Sequence, residues 1–341
     1  MGRAAALMMG SVLLSRILGY VRESVIAAVM GASGQTDVYY AAFTIPDFLN
    51  HLVAGGALSI TFIPIFARYL AEGKEEDGFR SFSTIATVMG IGMLFFIVLG
   101  EFLAGRVIPL LAPGFPPAQA ALAARLTRIV LPAQIFFYIG GLLMAVQYAR
   151  KQFFLPALAP LIYNAGIIAG GLLLGRDRGM EGFAWGVLAG AFLGNFALQI
   201  YGARRGGLSF SPRLDFSDPG LKEFIRLSIP IMLGFSLVVV DEWTTRVFGS
   251  FLLAGAITWL NNARRLMLVP VGIFGQASGV ASYPFLSSLA AEGKKEEMWD
   301  TLSLTLRWVF LVSAVFEWEL ATTLAVSGLI GWATNWLAIV M

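Results

Sequence analysis

Charged side chains interrupt the first apolar stretch of the chain, residues 4–31. Arg16, Arg22 and Glu23 lie among residues that are otherwise mostly hydrophobic or small. A charge at the centre of a membrane-spanning helix costs about 2.5–3.5 kcal/mol on the insertion scale, so these side chains need polar partners or water. Because a planar guanidinium matches phosphate oxygens, the two arginines indicate either an anion-binding site or a structural ion-pair network.

The second apolar stretch, residues 37–70, contains many polar and helix-breaking residues. These are Asp37, Pro46, Asp47, Asn50, His51, Gly55, Gly56 and Pro64. As one straight helix the stretch would be about 50 Å long, which exceeds the ~30 Å hydrocarbon core of a bilayer. We predict a tilted, kinked helix with a polar stripe, in which the prolines allow a hinge. His51, the single histidine, fits a packing role better than a proton relay.

Similar charges recur later in the chain. Asp241, Glu242 and Arg246 lie in the seventh apolar stretch, and Arg264 and Arg265 lie in the eighth. We expect these side chains and those of the first two helices to surround one cavity that accepts polar or anionic cargo. Structural ion pairs between helices would leave the same pattern, so the residues alone keep both interpretations open.

The elements that carry these residues are membrane helices. Of the 341 residues, 57% are hydrophobic and 13% are charged, whereas soluble domains average about 45–50% and about 25%. At roughly 20 residues per span, the length predicts an all-α, polytopic membrane protein with about nine to ten transmembrane helices. The apolar segments are 4–31, 37–70, 83–111, 122–149, 155–175, 182–203, 224–252, 254–290 and 300–340.

Composition excludes several kinds of chemistry. The chain has no cysteine and one histidine, which excludes thiolate sites and metal motifs that need two histidines. The sequence shows no nucleophile–base pair and no nucleotide-binding loop, so we predict neither an enzyme nor a cofactor. The basic residues lie in short loops and do not cluster, which argues against nucleic acid as a partner.

The basic residues also predict how the chain is oriented. Lysines and arginines in alternate connections number eleven on one side of the membrane and four on the other. The richer side carries Arg3, Lys74, Arg80, Arg150, Lys151, Arg204, Arg205, Arg213, Lys222, Lys294 and Lys295. Because positively charged loops stay in the cytoplasm, we predict a cytoplasmic N-terminus.

An internal repeat divides the sequence. Residues 64–76 and 284–296 share a pattern that includes AEGK, at a constant offset of 220 residues. An offset that spans six helices indicates two lobes of parallel topology. The predicted domains are a six-helix N-terminal lobe at 1–220, a partial second lobe with helices seven to nine at 221–316, and an atypical, foreign-looking apolar tail at 317–341.

Two long blocks resemble a known family. Residues 15–70 read SRILGYVRESVIAAVMGASGQTDVYYAAFTIPDFLNHLVAGGALSITFIPIFARYL, and residues 261–294 read NNARRLMLVPVGIFGQASGVASYPFLSSLAAEGK. The first block contains S-R-x-x-G-x-x-R-[DE], G-A-x-x-x-x-D-x-[FY], a proline in helix two and G-A-x-S-x-x-F-[IV]-P. The second is similar to A-[DN]-R-L-x-x-x-P-x-G-[IVL]-[FL]-G. In this order the motifs resemble the MurJ (MviN) family of lipid II flippases, over about residues 1–315.

The resemblance implies a fold, a cargo and a set of residues that bind it. The fold is that of the multidrug/oligosaccharidyl-lipid/polysaccharide exporters, in which two six-helix lobes surround a central cavity. The cargo is lipid II, the undecaprenyl-pyrophosphate-linked disaccharide-pentapeptide, which alternating access moves from the cytoplasmic to the outer leaflet. The substrate-binding residues that it implies are Arg16, Arg22, Asp37 and Arg265. We add Asn50, His51 and Arg264 to the predicted site, at positions that differ from the family.

Some of these positions depart from the family's pattern. Asn50 and His51 stand where the family commonly has two arginines, and Gly55 replaces an acidic residue. Arg264 stands where the family usually has an acidic residue. One positive charge is thus displaced from helix two to helix eight, and we predict that Arg264 compensates for the missing arginine.

Three functions are compatible with the sequence. The first is lipid II flipping, with this chain expected to be an incomplete copy that does not transport alone. The second is export of another polyprenyl-linked glycan or of drugs, although cationic drugs would favour an acidic cavity and arginines dominate here. The third is a non-transporting membrane scaffold or pseudo-transporter. The resemblance implies a multi-pass protein of the bacterial cytoplasmic (inner) membrane, with membrane lipid around it.

Overall fold

The computed structural model describes residues 2–50 and 57–265 and a few positions between 294 and 311. The chain divides into two compact units, Met1–Thr258 and Trp259–Met341. His51, Gly55, most of the second copy of the repeat and the tail at 317–341 lie outside the described residues. The described part is made of helices and their connections, which confirms the all-α prediction for it.

The helices follow the apolar segments of the sequence. They are α1 (Gly2–Met30), α2 (Gly34–Ala42), α3 (Thr44–Leu49), α4 (Ala57–Ala71), α5 (Glu75–Leu111), α6 (Pro117–Val130), α7 (Ala133–Ala149), α8 (Phe154–Arg178), α9 (Met180–Gly190), α10 (Leu198–Arg205) and α11 (Pro219–Gly249). A π-helical segment, Ala191–Ala197, joins α9 to α10. Helical backbone begins again at residue 256.

Among the described residues, four helical stretches are long and apolar enough to cross a membrane. They are Glu75–Leu111, Pro117–Ala149, Phe154–Arg178 and Met180–Arg205. Two of these stretches join consecutive elements, α6 with α7 and α9 with α10. The structure therefore supports a polytopic membrane protein, and the total of nine to ten spans stays a prediction.

The second apolar stretch is more broken than one kinked helix. Gly31, with a φ of +66°, follows the last residue of α1. Ser33 caps the start of α2, and its backbone N–H donates to Thr36 Oγ1 at 2.8 Å. The chain leaves the helix at Phe43 and resumes as α3. Pro46 lies in the first turn of α3, where a helix tolerates its missing N–H.

Small residues bring α8 and α9 into backbone contact. A Cβ atom on Gly170 would lie 2.5 Å from the carbonyl oxygen of Gly182 and 2.6 Å from the Cα of Gly186. A Cβ on Gly166 would lie 2.6 Å from the Cα of Gly190. Close approach through small residues is a main source of helix association in membranes. The other flank of α8 packs against α1.

Two apolar clusters hold the remaining helices of this unit. One centres on α4, α5 and α7, and α11 adds Leu221 and Phe224 to it. The other joins α1, α2, α6 and α9 around Ile26, Val38 and Phe183. The carboxylate of Asp218 also accepts hydrogen bonds from Ser81 Oγ at 3.0 Å and from the backbone N–H of Leu221 at 2.8 Å. Within Met1–Thr258, α11 therefore packs against α4 and α5, and the domain boundaries given above stay a prediction.

Candidate functional site

Arg22 is the centre of a polar cluster built by α1, α2 and α8. Its Nε and Nη2 atoms donate to Glu23 Oε1 at 3.0 and 2.8 Å, and Nη1 donates to Asn164 Oδ1 at 3.0 Å. Tyr40 donates its hydroxyl to Glu23 Oε2 at 2.5 Å. The side chains of Arg22 and Glu23 are 19% and 14% exposed. The sequence left open whether these charges form structural ion pairs, and Arg22 and Glu23 do form one.

The second cluster joins α3 to α11. Arg246 Nη2 lies 2.8 Å from Asp47 Oδ2 and 3.6 Å from Glu242 Oε2. Only 9% of the Arg246 side chain is exposed, and its Nη1 atom is buried with no hydrogen-bond partner in the part of the chain that the structure describes. Arg246 is therefore a buried cation whose donors are not all used there.

An apolar cavity of about 230 Å³ adjoins this cluster, between α3, α5 and α11. Phe48 and Trp243 line it, with ring centroids 5.6 Å apart. Trp243 Nε1 is also buried with no hydrogen-bond partner among the described residues. Because Trp243 and Arg246 are three residues apart on α11, they share one helix face. Two buried donors without described acceptors thus lie on one face of α11.

Asp37 is 3% exposed and binds the segment that follows α11. Its Oδ2 accepts the backbone N–H of Gly255 at 2.6 Å. Its Oδ1 accepts the backbone N–H and the hydroxyl of Thr258, at 2.8 and 2.6 Å. A carboxylate at the first turn of a helix satisfies N–H groups that have no partner inside the helix. The contacts of Asp37 are therefore those of a helix cap.

The predicted site residues lie in different surroundings. Arg16 is exposed on α1, six residues before the half-buried Arg22. Asn50 is half-buried and directly follows α3. Arg264 and Arg265 are half-buried in the unit that begins at Trp259. Among the described residues, Arg22 and Asp37 lie in separate clusters, each with its own partners. That they bind cargo stays a prediction.

Sequence reasoning missed several of the partners. Asn164 and Tyr40 complete the Arg22 cluster, and Thr258 completes the Asp37 cap. Asn164 had a usable signal, since a polar amide within an apolar helix seeks a hydrogen-bonding partner. Thr258 and Tyr40 carried no such signal in the sequence, because threonine and tyrosine are common in membrane helices and at their interfaces.

The fold and these buried charges define the class of the protein. Within the described part, long apolar helices enclose paired arginines, aspartates and glutamates, which is typical of polytopic membrane transporters. The structure is similar to the MATE transporter VcmN of Vibrio cholerae in its bent form, with a TM-score of 0.59, 18% identity, and coverage of 96% of this chain and 74% of that one. It is also similar to the lipid II flippase MurJ in an inward closed conformation, with a TM-score of 0.71, 24% identity, and coverage of 90% and 63%. Both likenesses show the fold.

Sequence comparison identifies the family. The profile of the family described as "Lipid II flippase MurJ" matches residues 26–323, and the chain belongs to this family. It is 31% identical over 320 residues to the lipid II flippase MurJ of Burkholderia cenocepacia, covering 92% of this chain and 62% of that protein. It is 29% identical over 305 residues to the probable lipid II flippase MurJ of Buchnera aphidicola subsp. Acyrthosiphon pisum, covering 88% and 60%. The chain thus spans about 60% of the length of the curated relatives it matches. The predicted class of membrane transporter, and not enzyme, is confirmed by the family.

Proposed function

We propose that the protein takes part in moving lipid II from the cytoplasmic to the outer leaflet of a bacterial inner membrane, by alternating access and with its N-terminus in the cytoplasm. Membership of the MurJ family and the exporter-like fold support this proposal. The matched relatives are named lipid II flippases. We therefore include lipid II as the cargo of this chain in the proposal.

The observation that carries the proposal is the geometry of Arg22. A guanidinium has five N–H donors, and the bonds to Glu23 and Asn164 account for three of them. Those bonds hold the planar group in one orientation, while 19% of the side chain remains exposed. A pyrophosphate presents several strong acceptor oxygens, and a positioned arginine is well suited to bind them.

The charges of the two clusters favour an anionic cargo. Glu23 and Asp47 are each paired with an arginine, and Asp37 caps a helix. A cationic drug would need a carboxylate to bind, and these carboxylates are already engaged within the chain. Arg246 Nη1 and Trp243 Nε1, by contrast, are buried donors with no acceptor in the described part. We include both in the proposed cargo-binding surface.

The other predicted residues have distinct roles in the proposal. Arg16 is exposed on α1 and adds positive potential that attracts the pyrophosphate. Arg264 and Arg265 supply further cationic contacts, and Asn50 and His51 supply hydrogen-bonding groups. Asp37 acts as a positioning residue, because its carboxylate binds Gly255 and Thr258.

Binding measurements test the proposal. The purified protein in nanodiscs is titrated with undecaprenyl pyrophosphate and with uncharged undecaprenol. We expect the pyrophosphate to bind at least tenfold more tightly. Hydrogen bonds to charged groups contribute about 1.5–3 kcal/mol, so Arg22→Gln should weaken pyrophosphate binding by tenfold or more, and Arg22→Lys should restore only part of it.

Arg178→Gln is the matched control, since Arg178 is exposed in the last turn of α8 and should leave binding unchanged. Size-exclusion profiles establish that each variant is folded. Equal affinity for the two lipids, or unchanged binding by a folded Arg22→Gln variant, would overturn the proposal.

A further inference from the structure

A large groove lies on the flank of the helices, away from the Arg22 and Arg246 clusters. It has a volume of about 550 Å³ and is formed by α5, α7, the π-helical segment, α10 and the connection that follows α10. Its walls are apolar and include Ile91, Leu94, Ile139, Phe196 and Ile200. It shares no residue with the clusters described above, so it needs a separate explanation.

The groove runs along helices that are long and apolar enough to cross a membrane. On α5 it extends from Phe82 to Leu94, which at 1.5 Å per residue is about 18 Å. Half of the ~30 Å hydrocarbon core is about 15 Å. The groove therefore has the length of one leaflet, and Ile91 and Leu94, each 53% exposed, open it towards lipid.

One end of the groove is basic. Arg204, in the last turn of α10, is the single charged residue among those that line it. Arg213 follows Pro212, which also lines the groove, and its side chain is exposed. A groove with an apolar body and a cationic end is complementary to a lipid with an anionic headgroup.

The connection between α10 and α11 forms one wall and is held in place. The backbone N–H of Ser211 donates to Ser83 Oγ at 3.2 Å, and that of Arg213 donates to Thr87 Oγ1 at 3.3 Å. Phe210, Leu214 and Phe216 of this connection are 51%, 62% and 70% exposed. Exposed aromatic and apolar side chains beside arginines are typical of a segment at the membrane–water interface, which places Arg204 at headgroup depth.

We propose that this groove is a binding site for an anionic glycerophospholipid. One acyl chain occupies the apolar body, and the phosphate of the headgroup lies against Arg204. The lipid belongs to the leaflet on the side of the α10–α11 connection. The site holds this lipid independently of the cargo, so its occupancy does not depend on the function proposed above.

Site-directed quenching tests this inference. Because the chain has no cysteine, Ile91→Cys can carry a single fluorophore in the groove. The labelled full chain is placed in nanodiscs that contain nitroxide-labelled phosphatidylglycerol or nitroxide-labelled phosphatidylcholine. We expect at least twofold stronger quenching by the anionic lipid, loss of this preference with Arg204→Gln, and retention of it with Arg204→Lys.

Leu173→Cys provides the control, since Leu173 on α8 is 76% exposed and lies outside the groove. Quenching there should be the same for both lipids and in both Arg204 backgrounds. Equal quenching of the Ile91 label by the two lipids would overturn the proposal. A preference that survives in folded Arg204→Gln protein would also overturn it.

Discussion

At the scale of single residues, the charged side chains of the apolar helices are held by specific neighbours. The cost of burying charge predicts that partners exist, but it does not predict which ones. Arg16 and Glu23, seven residues apart, share a helix face, yet Glu23 pairs with the adjacent Arg22. Asn164 and Tyr40 complete this cluster from α8 and α2. The polar residue type of Asn164 suggests a partner, but which partner it has depends on helix packing that the sequence does not specify.

Replacing Asn164 tests how strongly the Arg22 cluster depends on the hydrogen bond between Arg22 and Asn164. Asn164→Leu takes away the acceptor of Arg22 Nη1, and an unsatisfied buried donor costs about 1–3 kcal/mol. We expect a lower midpoint of thermal unfolding in detergent. Gln35→Leu is the control, because Gln35 is exposed and its replacement should change the midpoint little. Equal midpoints for the Asn164 variant and the parent would argue against the cluster.

A double-mutant cycle tests the cap formed by Asp37. Asp37→Asn and Thr258→Val each weaken the bond between Oδ1 and the Thr258 hydroxyl, which is 2.6 Å long. Because contacting residues are energetically coupled, the double variant should lose less stability than the sum of the single losses, by about 1 kcal/mol. Strictly additive losses would show that the two side chains do not interact.

At the scale of elements, hydropathy predicts most helices but not where they break. The α8 helix lies within three residues of its predicted segment at each end, since long apolar runs have one stable form in a bilayer. The α5 helix ends at the predicted residue but begins eight residues earlier, because the polar turn from Glu75 is also helical. Residues 37–70 instead contain a turn at Phe43, which separates α2 from α3. Polar and proline-rich membrane helices break where neighbouring helices satisfy the freed backbone groups, and such neighbours cannot be derived from the sequence.

The contact between α8 and α9 should be intolerant of added bulk. Gly170→Ala places a methyl group 2.5 Å from the Gly182 carbonyl oxygen, so the helices must separate. We expect a clear loss of stability, roughly 1–3 kcal/mol. Gly92→Ala on α5 is the matched control, because its Cβ would have no neighbour within 4 Å. It should be neutral or slightly stabilising, since alanine favours helix. Equal behaviour of the two variants in detergent unfolding would contradict the packing.

The ion pair between α4 and α11 predicts a dependence on pH. Arg68 Nη1 donates to Glu223 Oε1 at 3.1 Å, and this hydrogen bond lowers the pKa of Glu223 below its usual range. The pair therefore stabilises the fold fully above the pKa of an unfolded glutamate, about 4.3, and its contribution is lost as the pH falls through the lower folded value. Both side chains are partly exposed, so the effect is small and screened by salt.

Glu223→Gln should remove this acid-dependent part of the stability. The measurement is the unfolding midpoint between pH 3 and pH 7 at low ionic strength, for the parent and the variant. The two profiles should converge at the acid end and separate towards neutral pH. Parallel profiles over the whole range would show that the pair does not contribute.

At the scale of the whole molecule, the chain combines a fold similar to those of the MurJ and MATE structures with paired, mostly buried arginines on α1 and α11. The fold class and the family follow from sequence, because composition and long ordered motifs are robust signals. The arrangement around Arg22, Arg246 and Asp37 required the structure, since each cluster joins residues far apart in the chain.

We propose that this chain supplies a working part of a lipid II flippase in which Arg22 binds the cargo. In the most direct test, its residues replace the matched stretch of the Burkholderia cenocepacia relative, over the 320 aligned residues. The chimera is expressed in a bacterium depleted of its own flippase. We expect growth to be restored by the chimera and by its Arg178→Gln variant, and not by Arg22→Gln at equal abundance in the membrane. A stably inserted chimera that fails to restore growth, or an Arg22→Gln chimera that restores it fully, would contradict the account.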